Sequence, residues 1–281
     1  MNETPESSTA LCLDSPVELK QLLGDVSLNP DESLVGQIHR NLFDLIVSLK
    51  LQPGQLVSEK VVAESLNASK TPVREALIRL ENSGLVQIVP KSGSYVTPIS
   101  IGAYIEGCFI RVQLETGAVR RAAVQCDADS KIKLNTIIDQ QSAALDAERY
   151  EEFFILDQKL HAAFFDIAGV RGVWQVLNRT QADVNRVRHL KRINKIRRGP
   201  TVLKQHIKIV DALCDGDSDG AEAALIEHIG SLEREIEQLM SNPELLAFIE
   251  QQHDSVHFRK RTIRRASNGG VGLANKKTNN V

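Results

Sequence analysis

Apolar side chains recur at every third or fourth position over most of the chain, a spacing that predicts α-helices with one buried face. The first helix is expected to begin at Leu34 and to end before the Pro53-Gly54 turn. Ser58 is suited to cap a second, short helix, because its hydroxyl can accept a bond from a free backbone N–H. A third helix is predicted with Thr71 at its N-cap and Pro72 at its first position, where proline gives up no hydrogen bond.

The period of the pattern changes after Gly84, where the third helix is expected to end. Residues 85–90 and 95–99 are short runs rich in β-branched side chains, and the turn between them contains Gly93. Two such runs around a glycine-containing turn predict a β-hairpin. Three helices followed by a hairpin are the elements of a winged helix-turn-helix, a fold that places one helix in the major groove of DNA.

The pattern divides the chain into five segments of a mainly α-helical protein. Residues 1–32 are polar, with one apolar patch that can form a helical turn, and are expected to be a flexible arm. The winged helix is predicted at 33–98 and a linker at 99–104. An all-α antiparallel bundle of about six helices is predicted at 105–240. The basic tail at 241–281 is expected to be disordered.

Composition says more about the environment of the protein than about its activity. With 281 residues, 42% of them hydrophobic, the chain can supply two hydrophobic cores. Its net charge of −2 argues neither for nor against a polyanionic partner. The four cysteines are scattered, as is typical of reduced thiols in a cytoplasmic protein. No run predicts a membrane-spanning helix or a signal peptide, so no membrane partner is expected.

Polar and basic side chains cluster where the third helix begins. The candidates for DNA contact there, on the second helix and in the hairpin turn are Lys60, Ser69, Lys70, Thr71, Arg74, Lys91 and Gly93. Arg74 is the best candidate for reading a base, because a guanidinium can bond guanine through two N–H groups. Residues 34–98 carry seven Lys and Arg against five Asp and Glu, so charge alone does not separate these residues from an ordinary surface. Their position at one helix start favours DNA binding.

Residues 53–98, PGQLVSEKVVAESLNASKTPVREALIRLENSGLVQIVPKSGSYVTP, resemble the winged-helix domain of the GntR family of bacterial transcription regulators. The resemblance implies that a homodimer binds a palindromic operator in double-stranded DNA. It marks as DNA contacts Lys60, Ser69, Lys70, Thr71, Arg74 and Gly93. Many members have arginine where this chain has Lys60 and Lys70, and lysine does not make the same bidentate contact with a base.

Four side chains on predicted bundle helices carry the donor atoms of a transition-metal site. In 156-LDQKLHAAFFDIAG-169, Asp157 and His161 are four residues apart and share one face of a helix. His206 and His228 lie on the apolar faces of two later helices. One carboxylate and three imidazoles suit a divalent ion such as zinc, nickel or manganese. From the residues alone, each histidine can equally be a separate core or surface side chain.

The bundle is also similar to a known domain. The run 111-RVQLETGAVRRAA-123, followed by Asp157, His161, His206 and His228, resembles the FCD ligand-binding domain of one large GntR subfamily, over roughly residues 105–235. The resemblance implies that these four residues hold a divalent transition metal, with zinc as the expected ion and nickel or manganese as alternatives. It also implies that a small carboxylate effector completes the coordination of the metal.

Cationic side chains near this predicted cavity are candidates for binding the effector. Arg111 is placed to clamp a carboxylate, and Glu115, four residues later, is expected to pair with Arg111. In the basic run 186–198, Arg186 or His189 is expected to reach the cavity, whereas residues 191–198 are expected to be solvated.

These observations favour a metabolite-responsive transcription regulator, expected to act as a repressor, over an enzyme. The alternative is a metal-dependent hydrolase or other enzyme with an accessory DNA-binding domain. The chain has no H-E-x-x-H, G-x-S-x-G, P-loop or dinucleotide motif to support that alternative. A constitutive architectural DNA-binding protein would not need a polar metal cavity in its second domain.

Overall fold

A computed structural model describes residues 16–23, 28–193 and 199–230 and confirms the mainly α-helical fold. Its N-terminal half contains the helices α1 (Pro16–Leu23), α2 (Leu34–Val47), α3 (Glu59–Ser65) and α4 (Lys70–Asn82). The strands are β1 (Leu56–Val57), β2 (Val86–Val89) and β3 (Gly93–Val96). Among the described helices, none combines the length and the apolar character that crossing a membrane requires.

The winged helix forms as the sequence predicts, with small shifts at the element ends. The Ser58 hydroxyl accepts a bond from the N–H of Val61 and so caps α3. Helix α4 begins at Lys70, with Ser69 at the N-cap position, and not with Thr71 there. The predicted hairpin is joined by the two-residue strand β1, giving an antiparallel sheet of order β1-β3-β2.

Part of the predicted flexible arm is an ordered helix. Leu19 and Leu23 of α1 are buried in the core that α2, α3 and α4 share, and α1 packs against α3. The four-residue spacing of these leucines gives α1 one apolar edge, which a mostly polar segment can bury in a neighbouring groove. Residues 1–15 and 24–27 lie outside the described residues.

The C-terminal half is a helical bundle with one more helix than predicted, counted within the described residues. Its helices are α5 (Ile101–Gln125), α6 (Ala128–Asp146), α7 (Tyr150–Ile167), α8 (Arg171–Arg179), α9 (Ala182–Ile193), α10 (Gly199–Cys214) and α11 (Ser218–Ile229). Pattern reading missed the breaks at 147–149 and 180–181, where no glycine or proline marks the turn. The end of the predicted bundle and the basic tail, residues 231–281, lie outside the described part of the chain.

Helix α5 is the centre of the bundle and contacts α7, α9, α10 and α11. Its crossing with α9 is close because Gly107 has no side chain: a Cβ there would lie 2.9 Å from Val184 Cγ2 and 3.1 Å from the carbonyl oxygen of Thr180. On its other side α9 packs against α2, and Ala182 belongs to the core of the winged helix. Helix α9 therefore packs against both the winged helix and the bundle.

Candidate nucleic-acid interface and metal centre

The side chains predicted to contact DNA lie on one exposed part of the winged helix. Lys60, Lys70, Thr71 and Arg74 are exposed on α3 and at the start of α4. The Ser69 hydroxyl makes no capping bond to α4 and faces solvent. Because the other predicted DNA contacts named above are also exposed, their polar groups can reach phosphates and base edges.

Two acidic residues hold the basic side chains of this surface loosely. Arg74 Nε lies 3.7 Å from Glu59 Oε1, and Lys60 Nζ lies 3.8 Å from Glu64 Oε1. Both pairs are solvent-exposed and contribute little to stability. Phosphate oxygens can therefore replace these carboxylates at small cost.

The hairpin turn is set by two residues with positive φ. Lys91 (φ 63°) is exposed, and Gly93 has a φ of 137°. A Cβ on Gly93 would lie 2.6 Å from Leu56 Cδ1, so glycine allows both the left-handed backbone and the close packing against β1. This geometry keeps the wing narrow beside the exposed start of α4.

Four side chains from three bundle helices converge in what we call the ligand cluster: Asp157, His161, His206 and His228. Helix α7 supplies the first two, α10 supplies His206 and α11 supplies His228. One potential ligand atom from each lies within 4.8 Å of the others, and the first three residues are buried. The sequence predicted these four residues, and the fold brings them together.

Each imidazole of the ligand cluster is oriented by a bond to its Nδ1 atom. His161 Nδ1 lies 2.5 Å from Glu115 Oε2, and His206 Nδ1 lies 2.8 Å from Gln141 Oε1. His228 Nδ1 lies 3.1 Å from Gln205 Oε1. An oxygen acceptor at Nδ1 favours the tautomer with its proton there, which leaves the lone pair on Nε2.

The lone pairs of two histidines are buried without a protein partner. His161 Nε2 and His206 Nε2 form no hydrogen bond within the described residues. His206 Nε2 lies 3.5 Å from Asp157 Oδ1, too long for a normal hydrogen bond. Since buried polar atoms are normally satisfied, these nitrogen atoms fit a site that a metal ion completes.

The electrostatics of the ligand cluster keep Asp157, His206 and His228 in the metal-binding form. Burial is the main cause that lowers the pKa of His206 to about 3, and burial also lowers the pKa of His228, with His206 and His161 adding to the effect. Burial alone would raise the pKa of Asp157, but Arg188, His161 and His206 together hold it well below its ordinary value. At neutral pH the cluster therefore presents a carboxylate and neutral imidazoles at these positions, as metal ligation requires.

An arginine that sequence reasoning missed lies beside the ligand cluster. Arg188 Nη2 donates to Asp157 Oδ1 at 2.7 Å, and its guanidinium stacks over the Phe154 ring, 4.7 Å from the centroid. Arg188 Nη1 is buried and has no hydrogen-bond partner in the described part of the chain. A guanidinium fixed by one carboxylate, with a spare N–H group, is suited to bind an anion.

The pair predicted on α5 forms and has a second function. Arg111 Nε donates to Glu115 Oε1 at 2.6 Å, and both side chains are buried. Glu115 uses its other oxygen for His161, so it connects the arginine to a member of the ligand cluster. Arg111 Nη2 is left without a partner among the described residues. This second spare N–H group joins that of Arg188 as a potential anion donor.

One of the other cationic residues predicted to reach the cavity contacts a different part of the protein. Arg186 is fully buried and donates to the backbone carbonyls of Thr97 and Pro98 and to Asp183. It therefore faces residues 97–100, which join β3 to α5 and are called the linker from here on, and not the ligand cluster. His189 packs against the Phe154 ring at 4.6 Å between centroids. Lys191, expected to be solvated, is buried.

A signal for Arg188 is present in the sequence but is weak. The buried apolar positions of α9 are Ala182, Val184, Val187 and Leu190, and Arg188 is one turn beyond Val184. A cationic residue next to the buried apolar face of a helix is expected to direct its side chain toward the interior. Which cavity it enters depends on how α9 is rotated against α7, and that is a tertiary property.

Family comparisons match both halves of the chain. Residues 34–96 match bacterial regulatory proteins, gntR family, and residues 107–231 match the FCD domain. The HTH-type transcriptional repressor RspR of Escherichia coli (strain K12) is 34% identical over 215 residues, covering 76% of this chain and 94% of RspR. The gluconate operon transcriptional repressor of Bacillus subtilis (strain 168) is 23% identical over 210 residues, covering 72% of this chain and 84% of that protein.

Solved structures share the fold at lower identity. Escherichia coli McbR/YncC has a TM-score of 0.66 at 21% identity, covering 75% of this chain and 100% of the other. A GntR regulator from Rhodococcus sp. RHA1 has a TM-score of 0.62 at 22% identity, with the same coverage of 75% and 100%. The matched families and named relatives are transcription regulators and not enzymes, in agreement with the preference drawn from the motifs.

Proposed function

Because the chain belongs to the GntR family of bacterial transcription regulators and carries an FCD domain, we propose that it is a metabolite-responsive repressor controlled by a small organic acid. DNA binding and transcription regulation follow from family membership. The repressor assignment is supported by relatives that are named repressors, RspR and the gluconate operon repressor. The metal, the effector and the homodimer are the parts that experiments must test.

We propose that the ligand cluster holds a divalent transition metal, with zinc as the first candidate and nickel or manganese as alternatives. The observation that carries this proposal is that each of the three imidazoles has an oxygen partner at Nδ1, which leaves its Nε2 lone pair for an ion. Asp157 adds an anionic donor that is ionised at neutral pH. Three histidines and one carboxylate suit such ions. A bound ion would supply a Lewis-acidic centre that can attract a carboxylate.

The effector is proposed to bind between the ligand cluster and two arginines. Arg111 and Arg188 enter from different helices, and each keeps one buried N–H group without a protein acceptor in the described residues. Their positions are fixed by Glu115 and Asp157, so little side-chain entropy is lost when an anion binds. A carboxylate is therefore expected to bind at this side of the cluster.

The proposed output is a change in operator affinity of a homodimer. The exposed start of α4, with Arg74 as the base-reading residue, would enter the major groove, and the wing residues Lys91 and Gly93 would approach the neighbouring backbone. An effector regulates this binding only if its affinity differs between the DNA-competent and DNA-incompetent arrangements.

Metal analysis of the purified protein tests the core of this proposal. We expect about one divalent ion per chain in the wild type and near-complete loss in a His206→Ala/His228→Ala double variant, because structural and ligand-docking sites of this type need all their donors. His39→Ala, in the winged helix and outside the cluster, is the matched control and should keep its metal. A wild-type protein that carries no metal, and whose melting temperature divalent ions do not raise, would falsify the metal site.

A binding screen tests the effector site separately. Zinc-loaded protein would be titrated with a panel of 2-hydroxy acids and dicarboxylic acids, with Kd measured by calorimetry. For any acid that binds, Arg188→Gln is expected to weaken binding by about 10- to 100-fold, the loss that follows when a charged hydrogen bond is removed. Equal affinity of wild type and Arg188→Gln would show that this arginine does not contact the effector.

A further inference from the structure

Helix α9 carries two arginines that point to opposite sides and contact different parts of the protein. Arg186 and Arg188 are two residues apart, which on an α-helix places them roughly 200° apart around the axis. Arg188 contacts Asp157 in the ligand cluster, whereas Arg186 contacts the segment that joins the winged helix to α5. A single rigid helix thus connects the metal centre to the linker.

The contact between Arg186 and the linker is a buried, forked one. Nη2 donates to the carbonyl oxygen of Thr97 at 2.5 Å, and Nη1 donates to that of Pro98 at 3.3 Å and to Asp183 Oδ1 at 3.0 Å. The guanidinium is fully buried, so these bonds are shielded from competing water. Thr97 directly follows strand β3, so Arg186 holds the chain where the wing ends.

Apolar contacts around this fork join the two domains further. Val184, Val187 and Leu190 of α9 form one buried cluster with Leu49, which lies two residues after the end of α2, and with Ile99 of the linker. Ala182, at the first position of α9, packs into the winged-helix core. A displacement of α9 would therefore move the linker and α2 together.

The other side of α9 is placed to respond to occupancy of the ligand cluster. Asp157 is the acceptor for Arg188 and is also one of the four proposed ligands. A cation at the cluster would share the Asp157 carboxylate with Arg188 and repel the guanidinium at short range in a buried site. Arg188 Nη1 has no hydrogen-bond partner among the described residues, so it can donate to an anionic effector and draw the side chain toward it.

From this arrangement we infer that α9 transmits the state of the ligand cluster to the winged helix, with Arg186 as the positioning residue that couples α9 to the linker. The inference rests on the metal and effector site proposed above. Arg188 senses the cluster, α9 carries the displacement, and the forked contact of Arg186 passes it to Thr97 and Pro98. Removal of the Arg186 hydrogen bonds to Thr97 and Pro98 should leave metal binding intact. Metal binding should then no longer affect the DNA-binding domain.

Hydrogen exchange of the full-length protein, with and without Zn²⁺ alone, tests this coupling. In the wild type, zinc is expected to change the exchange rate of the linker amides of Thr97, Ile99 and Ser100 by at least about threefold, because local opening reports how firmly the segment is held. In Arg186→Met the zinc content should be unchanged and the zinc-dependent change should fall below about 1.5-fold. Arg179→Met, an exposed arginine on α8, should respond like the wild type.

The zinc dependence separates a coupling role from a merely structural one. If Arg186 only stabilises the fold, its loss would raise linker exchange equally with and without zinc and leave the response intact. Arg186→Lys guards against misfolding of the methionine variant: it should keep less than about half of the response, since one ammonium cannot reproduce a planar fork. A full zinc response in folded Arg186→Met or in Arg186→Lys overturns the inference.

The remaining outcomes distinguish this inference from the proposed function. If wild-type protein binds zinc and gains protection in α7, α10 and α11 but shows no change in the linker, α9 does not transmit and the metal site stands. If wild-type protein binds none of zinc, nickel and manganese, the metal site fails and the coupling inference fails with it.

Discussion

At the residue scale, the site depends on side chains that each serve two partners. Glu115 accepts from Arg111 with one oxygen and from His161 with the other, and Asp157 joins Arg188 to the ligand cluster. The sequence predicted all four cluster residues and the Arg111–Glu115 pair. It did not predict that Glu115 orients a histidine, because that contact joins residues 46 positions apart on different helices.

Replacing Arg74 with alanine should remove specific operator binding. The side chain is exposed at the start of α4 and pairs only loosely with Glu59, so its loss should leave the fold intact. Removing one bidentate base contact costs about 1–3 kcal/mol per half-site. Arg79→Ala, five residues along the same helix, is the control and should bind normally. An electrophoretic shift assay on the native promoter measures the difference, and specific binding retained by Arg74→Ala would disprove the recognition-helix assignment.

Replacing Glu115 with glutamine should weaken metal binding without removing a ligand. The amide keeps an oxygen near His161 Nδ1 but loses the charge that raises the basicity of the ring and balances Arg111. Partners of this kind typically affect metal affinity by about 10- to 100-fold. Glu106→Gln, elsewhere on α5, should leave the affinity unchanged. Competition with a fluorescent zinc chelator measures both, and an unchanged affinity for Glu115→Gln would show that orientation of His161 is unimportant.

At the scale of elements, the sequence predicted those helices and strands whose ends carry recognisable residues. Ser58 and Asp127 cap α3 and α6 through their side chains, and Gly84 and Gly93 mark positive-φ turns. The break at Glu148, a non-glycine residue with a φ of 53°, could not be recognised, because tertiary packing holds that residue in a conformation its type rarely adopts. The two-residue strand β1 is too short to show an alternating pattern.

The crossing of α5 and α9 gives a matched pair of glycine variants on one helix. Gly107→Ala should destabilise the protein by about 1–2 kcal/mol. The added methyl group would meet Val184 and the carbonyl oxygen of Thr180, in the turn between α8 and α9, and this backbone atom cannot move away. Gly117→Ala meets nothing within 4 Å and should stabilise the helix by up to about 1 kcal/mol. Urea unfolding gives both values. A stabilising effect of Gly107→Ala would mean that the crossing is looser than described.

At the scale of the whole molecule, one helix packs against both the winged helix and the bundle. The winged helix and the bundle are separate in sequence, and pattern reading placed a simple linker between them. In the structure α9 contributes Ala182 to the winged-helix core and Arg186 to the linker, although it lies more than 80 residues after the linker. Such long-range contacts leave no local signal, which explains why the sequence did not predict how the winged helix and the bundle are joined.

This shared helix predicts coupled unfolding of the two domains. The wild-type protein is expected to unfold in one calorimetric transition. Ala182→Asp should split this transition into two, because burying an unpaired carboxylate in the winged-helix core costs on the order of several kcal/mol. Ala143→Asp, at an exposed position of α6, is the control and should keep a single transition. A single transition with an unchanged melting temperature for Ala182→Asp would show that the contact contributes little to cooperativity.

The position of α9 has a consequence for the engineering of hybrid regulators. Fusing this winged helix to another effector domain at the linker would discard Ala182, Arg186 and the apolar cluster that receives Leu49 and Ile99. A hybrid joined in that way would bind DNA and bind its acid, yet the two events would be independent. To make a responsive hybrid, the residues of α9 that contact the winged helix would have to be transferred together with the linker. The functional boundary between the two domains therefore includes part of α9.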